Sequence, residues 1–313
     1  MAKTILALSS LYPLGLDALE ERFSIVRLWQ EKDPDAAIRA HRGDVVGIIA
    51  TPGRNVSRSL IEALPNLEII ANFAVGVDNI DLTAARERGV TVTNTPDVLT
   101  ADTADTAIAL MLSVARRVVE GDAYVRVGKW GNGAMPLGVS LYGKTVGIVG
   151  LGRIGRAIAA RCEAFGMDVV YCGRRKKSDI SYFYYDDPKV MAEECDFLVL
   201  ACSGGDETRH LVNMDVLRAL GPKGFLINVA RGSVVDEEAL LIALRNKDIA
   251  GAGLDVYENE PHVPESLFTM DNVVLLPHVG SATVETRMAM AKLVIENLLA
   301  HFDGDQLKTV VTG

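Results

Sequence analysis

Short runs of consecutive aliphatic residues recur along the chain, and most are followed by stretches whose apolar positions fall three or four apart. The first pattern, bounded by turn formers, fits a strand buried on both faces, and the second fits an amphipathic helix. In the first hundred residues, runs at 5–8, 45–50, 67–71 and 90–93 predict strands, with helices at 16–22, 57–63 and 82–88 between them. From 101 to about 127 the chain reads as one long helix carrying AIALMLSVA, ended by the Gly/Pro-rich GKWGNGAMPLG, a loop signal. A second series follows, with strands predicted at 145–149, 168–171, 197–201, 225–229, 251–254 and 273–276, and a last amphipathic helix at about 283–302. Alternation of this kind predicts an α/β fold with parallel sheets, and six strands suit the two βαβαβ halves of a nucleotide-binding sheet.

Composition changes this picture little. The 313 residues are comfortable for two domains, and 49% apolar content supplies their cores. The net charge of −9 argues against nucleic-acid and acidic-membrane partners, so an anionic ligand must be held by local groups. No apolar run approaches the roughly 18 residues of a membrane span. The opening MAKTILALSS lacks a secretory pattern, which predicts a cytoplasmic protein. Cysteines 162, 172, 195 and 202 form no CxxC pair and read as reduced core thiols, and no metal site is expected.

KTVGIVGLGRIGRAIA holds Gly150-x-Gly152-x-x-Gly155. The spacing alone is weak, but here it follows an apolar strand and opens a helix. Gly150 then allows the tight turn, Gly152 lets a pyrophosphate approach the backbone, and Gly155 lets the helix pack against the strand. About 20 residues on, an NAD-binding chain places a carboxylate for the ribose 2′-hydroxyl. Here the chain reads YCGRRKK, with Gly173 at that spot and Arg174, Arg175, Lys176 and Lys177 after it. A missing carboxylate and added guanidinium groups both point to a 2′-phosphate, hence NADP(H), with Arg174 stacking on the adenine and Arg175 as a second donor.

Only five histidines occur, at 41, 210, 262, 278 and 301. One of them ends the apolar run of VVLLPHVGSAT, and a structural histidine bonded to a carbonyl is the bland reading for it. Together with the glycine motif, LINVARGSVVDEEAL, GAGLDVYENEP and VVLLPHVGSAT resemble the D-isomer-specific 2-hydroxyacid dehydrogenases across nearly the whole chain. VTNTPDVLTADTAD, ACSGGDETRH and DVYENEPHVPESLF bring the likeness nearest to the glyoxylate/hydroxypyruvate reductase branch, including its hydroxyphenylpyruvate reductase type.

The resemblance implies a flavodoxin-like substrate domain, residues 1–98 and 280–313, and a Rossmann NADP-binding domain, 99–279. Substrate is then expected in the cleft between them. Arg231 is implied to grip the carboxylate and carbonyl of a 2-oxo acid, for which a planar guanidinium is suited. His278 is implied to be the general acid, and Glu260 the carboxylate that raises its basicity and fixes its tautomer. Glu258 is the rival by composition, and the proline at 261 favours Glu260. Backbone N–H groups at Val75 and Gly76, in FAVGVDNID, are implied to bind the substrate carboxylate. The implied cofactor contacts are Thr106, Gly150, Leu151, Gly152, Arg153, Ile154, Gly155, Gly173, Arg174, Arg175, Cys202, Thr208, Val229, Arg231, Asp255, His278 and Gly280, with Asp255 and Thr106 nearest the nicotinamide.

A homodimer through the cofactor domain is expected, with Trp130 either an interface aromatic or a visitor to a partner's site. The expected reaction is NADPH-dependent reduction of glyoxylate or hydroxypyruvate to a D-2-hydroxy acid. Three alternatives stand beside it: hydroxyphenylpyruvate reduction, a phosphoglycerate dehydrogenase activity for which Arg54 is the one conspicuous cation in TPGRNVS, and a dinucleotide-sensing corepressor or binding module.

Overall fold

The computed structural model describes residues 3–311 and divides into two compact units, one taking the chain up to Leu99 and again from Ala282 onward, the other Thr100–Ser281. In the first unit the elements run β1 (Thr4–Ala7), α1 (Asp17–Glu20), β2 (Ser24–Arg27), α2 (Pro34–His41), β3 (Val45–Ala50), α3 (Arg58–Ala63), β4 (Ile69–Asn72), α4 (Leu82–Glu87) and β5 (Thr91–Thr93). The second unit opens with α5 (Thr100–Ala115) and α6 (Val118–Arg126), then β6 (Thr145–Val149), α7 (Arg153–Ala164), β7 (Asp168–Cys172), β8 (Phe183–Tyr185) and α8 (Pro188–Glu193). It continues through β9 (Phe197–Leu200), α9 (Met214–Leu220), β10 (Phe225–Asn228), α10 (Glu237–Asn246), β11 (Gly251–Leu254) and β12 (Val273–Leu275), after which α11 (Val284–Asp303) returns to the first unit.

Both sheets are parallel. The first has the order β2-β1-β3-β4-β5 and the second β12-β11-β10-β9-β6-β7-β8. These are the flavodoxin-like and Rossmann-type doubly wound orders, the latter with a seventh strand, and each places ligand sites beyond the carboxyl ends of its strands. The unbroken apolar runs follow from burial on both faces. In β9, Leu198 and Leu200 join the core under α8, α9 and α10, while Phe197 and Val199 face the core under α5 and α7. Phe197 stacks on Phe225 of β10 at 5.2 Å between ring centroids. Helix starts are capped as their sequences dictate: the side chains of Asp33, Ser57, Asp81, Asp187, Asn213, Asp236 and Thr283 each accept a first-turn N–H.

Three expectations of element placement are corrected. The long helix breaks after Ala115, because Arg117 takes a left-handed φ of 56° and starts α6. Residues of α5 are buried along its length and none of α6 is, so packing holds the first segment and releases the second. Strands β2 and β8 and helix α2 are additions. Both strands lie at sheet edges, half exposed, and so lack the aliphatic run that marks a central strand. Cys202, read as a core thiol, lines a groove, while the other three cysteines are buried, and all four are free.

Candidate active site

Strand β6 delivers the chain to Gly150, whose φ of 94° and N–H bond to the Cys172 carbonyl (2.8 Å) make the tight turn. A methyl group at Gly155 would lie 2.2 Å from the Gly150 carbonyl oxygen, so only glycine lets α7 pack this closely. At Gly152 the same group would meet nothing within 4 Å. Gly152 is the N-cap of α7 and gives it no side-chain cap, which leaves first-turn N–H groups to an outside acceptor.

A groove of about 1140 Å³ lies over this turn, lined by Gly150, Leu151, Gly152, Gly173, Arg174, Arg175, Lys177, Cys202 and Thr208 among others. The Lys177 N–H donates to the Tyr171 hydroxyl oxygen (2.7 Å) and the Tyr184 hydroxyl donates to the Gly173 carbonyl (2.9 Å), which fixes the basic turn. Burial pushes the Cys202 thiol up to about 11, so the groove wall is neutral there. Asp186 also lines the groove. An open glycine, an uncapped helix start and neighbouring guanidinium groups fit a dinucleotide with an extra phosphate. Among the described residues no His, Cys, Asp and Glu cluster could hold a metal ion.

The ends of β10, β11 and β12 carry the ionisable groups. Buried Asn228 closes the turn after β10: its side-chain oxygen accepts the Ala230 N–H (3.0 Å) and its amide donates to the Arg231 carbonyl (3.0 Å). Arg231 Nη1 donates to the Ala230 carbonyl at 2.8 Å. After β12, His278 takes a left-handed φ of 55°, a conformation that costs a non-glycine residue about 1–3 kcal/mol and needs support. Asp255, 2% exposed at the end of β11, supplies it. Its carboxylate accepts the Val279 N–H (2.7 Å) and the Gly280 N–H (2.8 Å), and its carbonyl accepts the His278 N–H (2.8 Å).

Held this way, His278 sets Nδ1 2.7 Å from Glu260 Oε2, each side chain about a third exposed (32% and 31%). The other Glu260 oxygen accepts the Tyr257 N–H at 3.1 Å. Burial raises the Glu260 carboxyl. The His278 hydrogen bond and charge, the Tyr257 N–H and the charge of Arg231 together outweigh it and hold the group below the usual carboxylate range. Burial also dominates at Asp255 and pushes its carboxyl up, opposed by the two N–H groups and by His278. Arg231, Glu260 and His278 are therefore electrostatically joined, since the histidine and the arginine both act on the Glu260 carboxyl.

In the first unit the loop after β4 is held by amides. The Asn72 side chain donates to the Gly76 carbonyl (2.7 Å) and the Asn94 side chain to the Val75 carbonyl (2.9 Å). Of the residues singled out from sequence, Arg153 and Ile154 open α7, Val229 directly follows β10, and Thr106 lies in α5. Thr103, one turn before Thr106, is the residue that approaches Gly280. Asn72, Asn94 and Asn228 were not picked out. A polar residue closing an apolar strand run is the signal that finds Asn72 and Asn228. Asp255 was picked out for a cofactor contact, whereas its carboxylate oxygens here hold the His278 turn.

Fold and site define a dinucleotide-dependent α/β oxidoreductase architecture: a glycine-turn groove in a doubly wound sheet, with an arginine and a histidine–glutamate pair at neighbouring strand ends. The family model described as D-isomer specific 2-hydroxyacid dehydrogenase, NAD binding domain, matches residues 108–280. A glyoxylate/hydroxypyruvate reductase of Arabidopsis thaliana is 50% identical over 94% of both chains, and a hydroxyphenylpyruvate reductase of Plectranthus scutellarioides is 49% identical over 94% of both. An NADPH-dependent glyoxylate/hydroxypyruvate reductase of Sinorhizobium meliloti, solved with NADP and malonate, superposes with a TM-score of 0.91 at 47% identity, covering 100% of this chain and 97% of that one. The chain belongs to the D-isomer specific 2-hydroxyacid dehydrogenase family.

Proposed function

We propose that this protein is an NADPH-dependent 2-hydroxyacid dehydrogenase that reduces small 2-oxo acids, glyoxylate and hydroxypyruvate foremost, to D-2-hydroxy acids. The observation that carries the reading is the His278–Glu260 contact of 2.7 Å, with the charge of Arg231 acting on the same carboxylate, in the unit that holds the glycine-turn groove. The reductase names and the NADP-bound structure among the relatives support the substrate class and the cofactor.

Bound in the groove, the reduced nicotinamide supplies a hydride. The α7 N-terminus and Gly152 take the pyrophosphate, and Arg174 and Arg175 take the 2′-phosphate. Arg231 grips the substrate carboxylate and carbonyl through paired donors, and the N–H groups of Val75 and Gly76 bind the carboxylate. His278 gives its proton to the carbonyl oxygen, and Glu260 keeps the ring oriented through its contact with Nδ1. Asp255 holds the imidazole in place by fixing its turn.

The protein acts as a homodimer in the cytoplasm on this reading, and without a nucleic-acid or membrane partner. Support for the dimer is an exposed apolar surface on α6 and the segment after it: Val119 (58%), Trp130 (72%), Leu137 (95%) and Tyr142 (80%). A second reading, a 2-oxo acid with a further anionic group, is favoured by one observation. Arg39 and Arg54, with Ser57 and Ser59, line a cavity of about 540 Å³ in the first unit.

Steady-state assays with glyoxylate, hydroxypyruvate, hydroxyphenylpyruvate and 3-phosphohydroxypyruvate, each with NADPH and NADH, test both readings. Highest kcat/KM on the first two with NADPH is expected. Preference for NADH would overturn the reading of the basic turn, and NADPH binding without turnover would favour the sensing module.

A further inference from the structure

The glutamate of a second histidine–glutamate pair, Glu258, lies two residues before Glu260 in the chain. Arg209 Nη2 donates to Glu258 Oε1 at 2.6 Å, and His210 Nε2 lies 3.0 Å from the same oxygen. The Glu258 side chain is only 19% exposed, and His210 holds a left-handed φ of 50° to reach it.

This pair joins three segments. His210 and Val212 donate their N–H groups to the carbonyls of Ser233 (2.8 Å) and Val234 (3.0 Å), in the stretch that directly follows Arg231. The Glu258 N–H donates to Glu237 Oε2 at 3.3 Å, at the start of α10. Gly232 lies so close to the other loop that a methyl group there would sit 1.8 Å from the Tyr257 carbonyl carbon. Tyr257 in turn donates its N–H to Glu260. The segment carrying Arg231 and the loop carrying Glu260 are therefore clasped together, with the Glu258 carboxylate as the pin.

We infer that Glu258, gripped by Arg209 and His210, is a positioning residue: it sets the separation between the Arg231 guanidinium and the Glu260–His278 pair, and touches no substrate. The inference rests on the reductase reading for its consequence in activity. Reacting groups displaced by about an ångström lose on the order of 100-fold in rate, so a clasp on both loops bears directly on turnover.

The variants Glu258→Ala, Glu258→Gln and His210→Asn separate positioning from general stability; asparagine tolerates the left-handed backbone at 210. In Glu258→Ala and His210→Asn we expect KM for glyoxylate to rise and kcat to fall, with kcat/KM down about 10- to 100-fold. The NADPH Kd should rise no more than about fivefold, because the glycine turn and the basic turn lie in other segments, although Thr208 and Leu211, on either side of the clasped pair, also line the groove. Glu258→Gln should recover most of the loss, since its amide oxygen still accepts from both partners. Deuterium exchange across residues 256–262 should quicken in Glu258→Ala and return toward wild type in Glu258→Gln.

Activity within about threefold of wild type in Glu258→Ala, loss that parallels loss of NADPH binding, or no recovery in Glu258→Gln overturns the inference. If the wild-type protein reduces no 2-oxo acid, the functional reading fails alone. Exchange at 256–262 then decides the clasp: quickening in Glu258→Ala supports it and no change overturns it.

Discussion

The two sheets share a parallel, doubly wound design, yet the loops at their carboxyl ends are held by different chemistry. In the first unit the loop at 73–77 is held by two neutral amides, Asn72 and Asn94. In the second, Asn228 closes the turn after β10 in the same neutral way, but the neighbouring turns are held by carboxylates: Asp255 under the His278 turn, Glu260 against the imidazole and Glu258 against Arg209 and His210. In the proposed mechanism the first loop's N–H groups receive a substrate carboxylate and want no anion behind them, whereas the imidazole that gives the proton wants one beside it. The fold supplies the same platform twice, and the residues closing each strand decide which charge it can serve.

The largest effect should come from the charged cluster. Arg231→Ala and His278→Ala are each expected to lower kcat/KM for glyoxylate by about 10²- to 10⁴-fold, since each acts at the reacting centre in the proposed mechanism. Near-wild-type turnover in either variant would remove that residue from its role and dissolve the contrast between the units.

Next is the basic turn of the groove. Replacing Arg174 and Arg175 together by alanine should weaken NADPH binding by about 10- to 100-fold and NADH binding by only about fivefold, the part owed to Arg174 stacking on the adenine, as measured by fluorescence titration. Equal losses for both dinucleotides would mean that the turn holds no 2′-phosphate.

A smaller effect sharpens the comparison itself. Asn94→Ala frees the Val75 carbonyl and should raise KM for glyoxylate a few-fold, about fivefold, with kcat little changed. Asn94→Asp removes the same donor and adds a charge, so its KM should rise about tenfold or more. If aspartate is no worse than alanine, the need for neutral holders in the first unit is wrong.

The smallest effect is on stability. The Glu260 carboxyl titrates below its ordinary 4.5 in the folded chain, so its contribution is present above that pH and is lost as pH falls through the folded value. Glu260→Gln should therefore narrow its stability deficit relative to wild type as pH falls from about 6 to about 3, read from urea midpoints. A deficit constant across that range would show that the charge at Glu260 does not contribute to folding.

Much of this was legible before any tertiary information. Aliphatic runs located the central strands because those strands are buried on both faces, and the turn after β6 declared itself because Gly150 and Gly155 sit where a side chain would collide with backbone. Edge strands β2 and β8 escaped because one side meets solvent and the pattern is diluted. The break at Arg117 escaped because AIALMLSVA and the residues beyond it have similar local preferences, and only packing separates them.

The sequence by itself determined the strand–helix alternation, the glycine turn and the presence of a guanidinium, a carboxylate and an imidazole in motif order, because these depend on local spacing and residue type. The resemblance and the proline at 261 already implied Glu260 for His278; only the tertiary structure decided that Glu258 serves a second histidine. His278 meets Glu260 across 18 positions of chain and His210 meets Glu258 across 48. Glu258 and Glu260 are the same chemistry two residues apart. The pairing of Glu258 with His210 is assigned by how the segment after β9 meets the loop after β11, which is a property of sheet order and loop packing that no local pattern records.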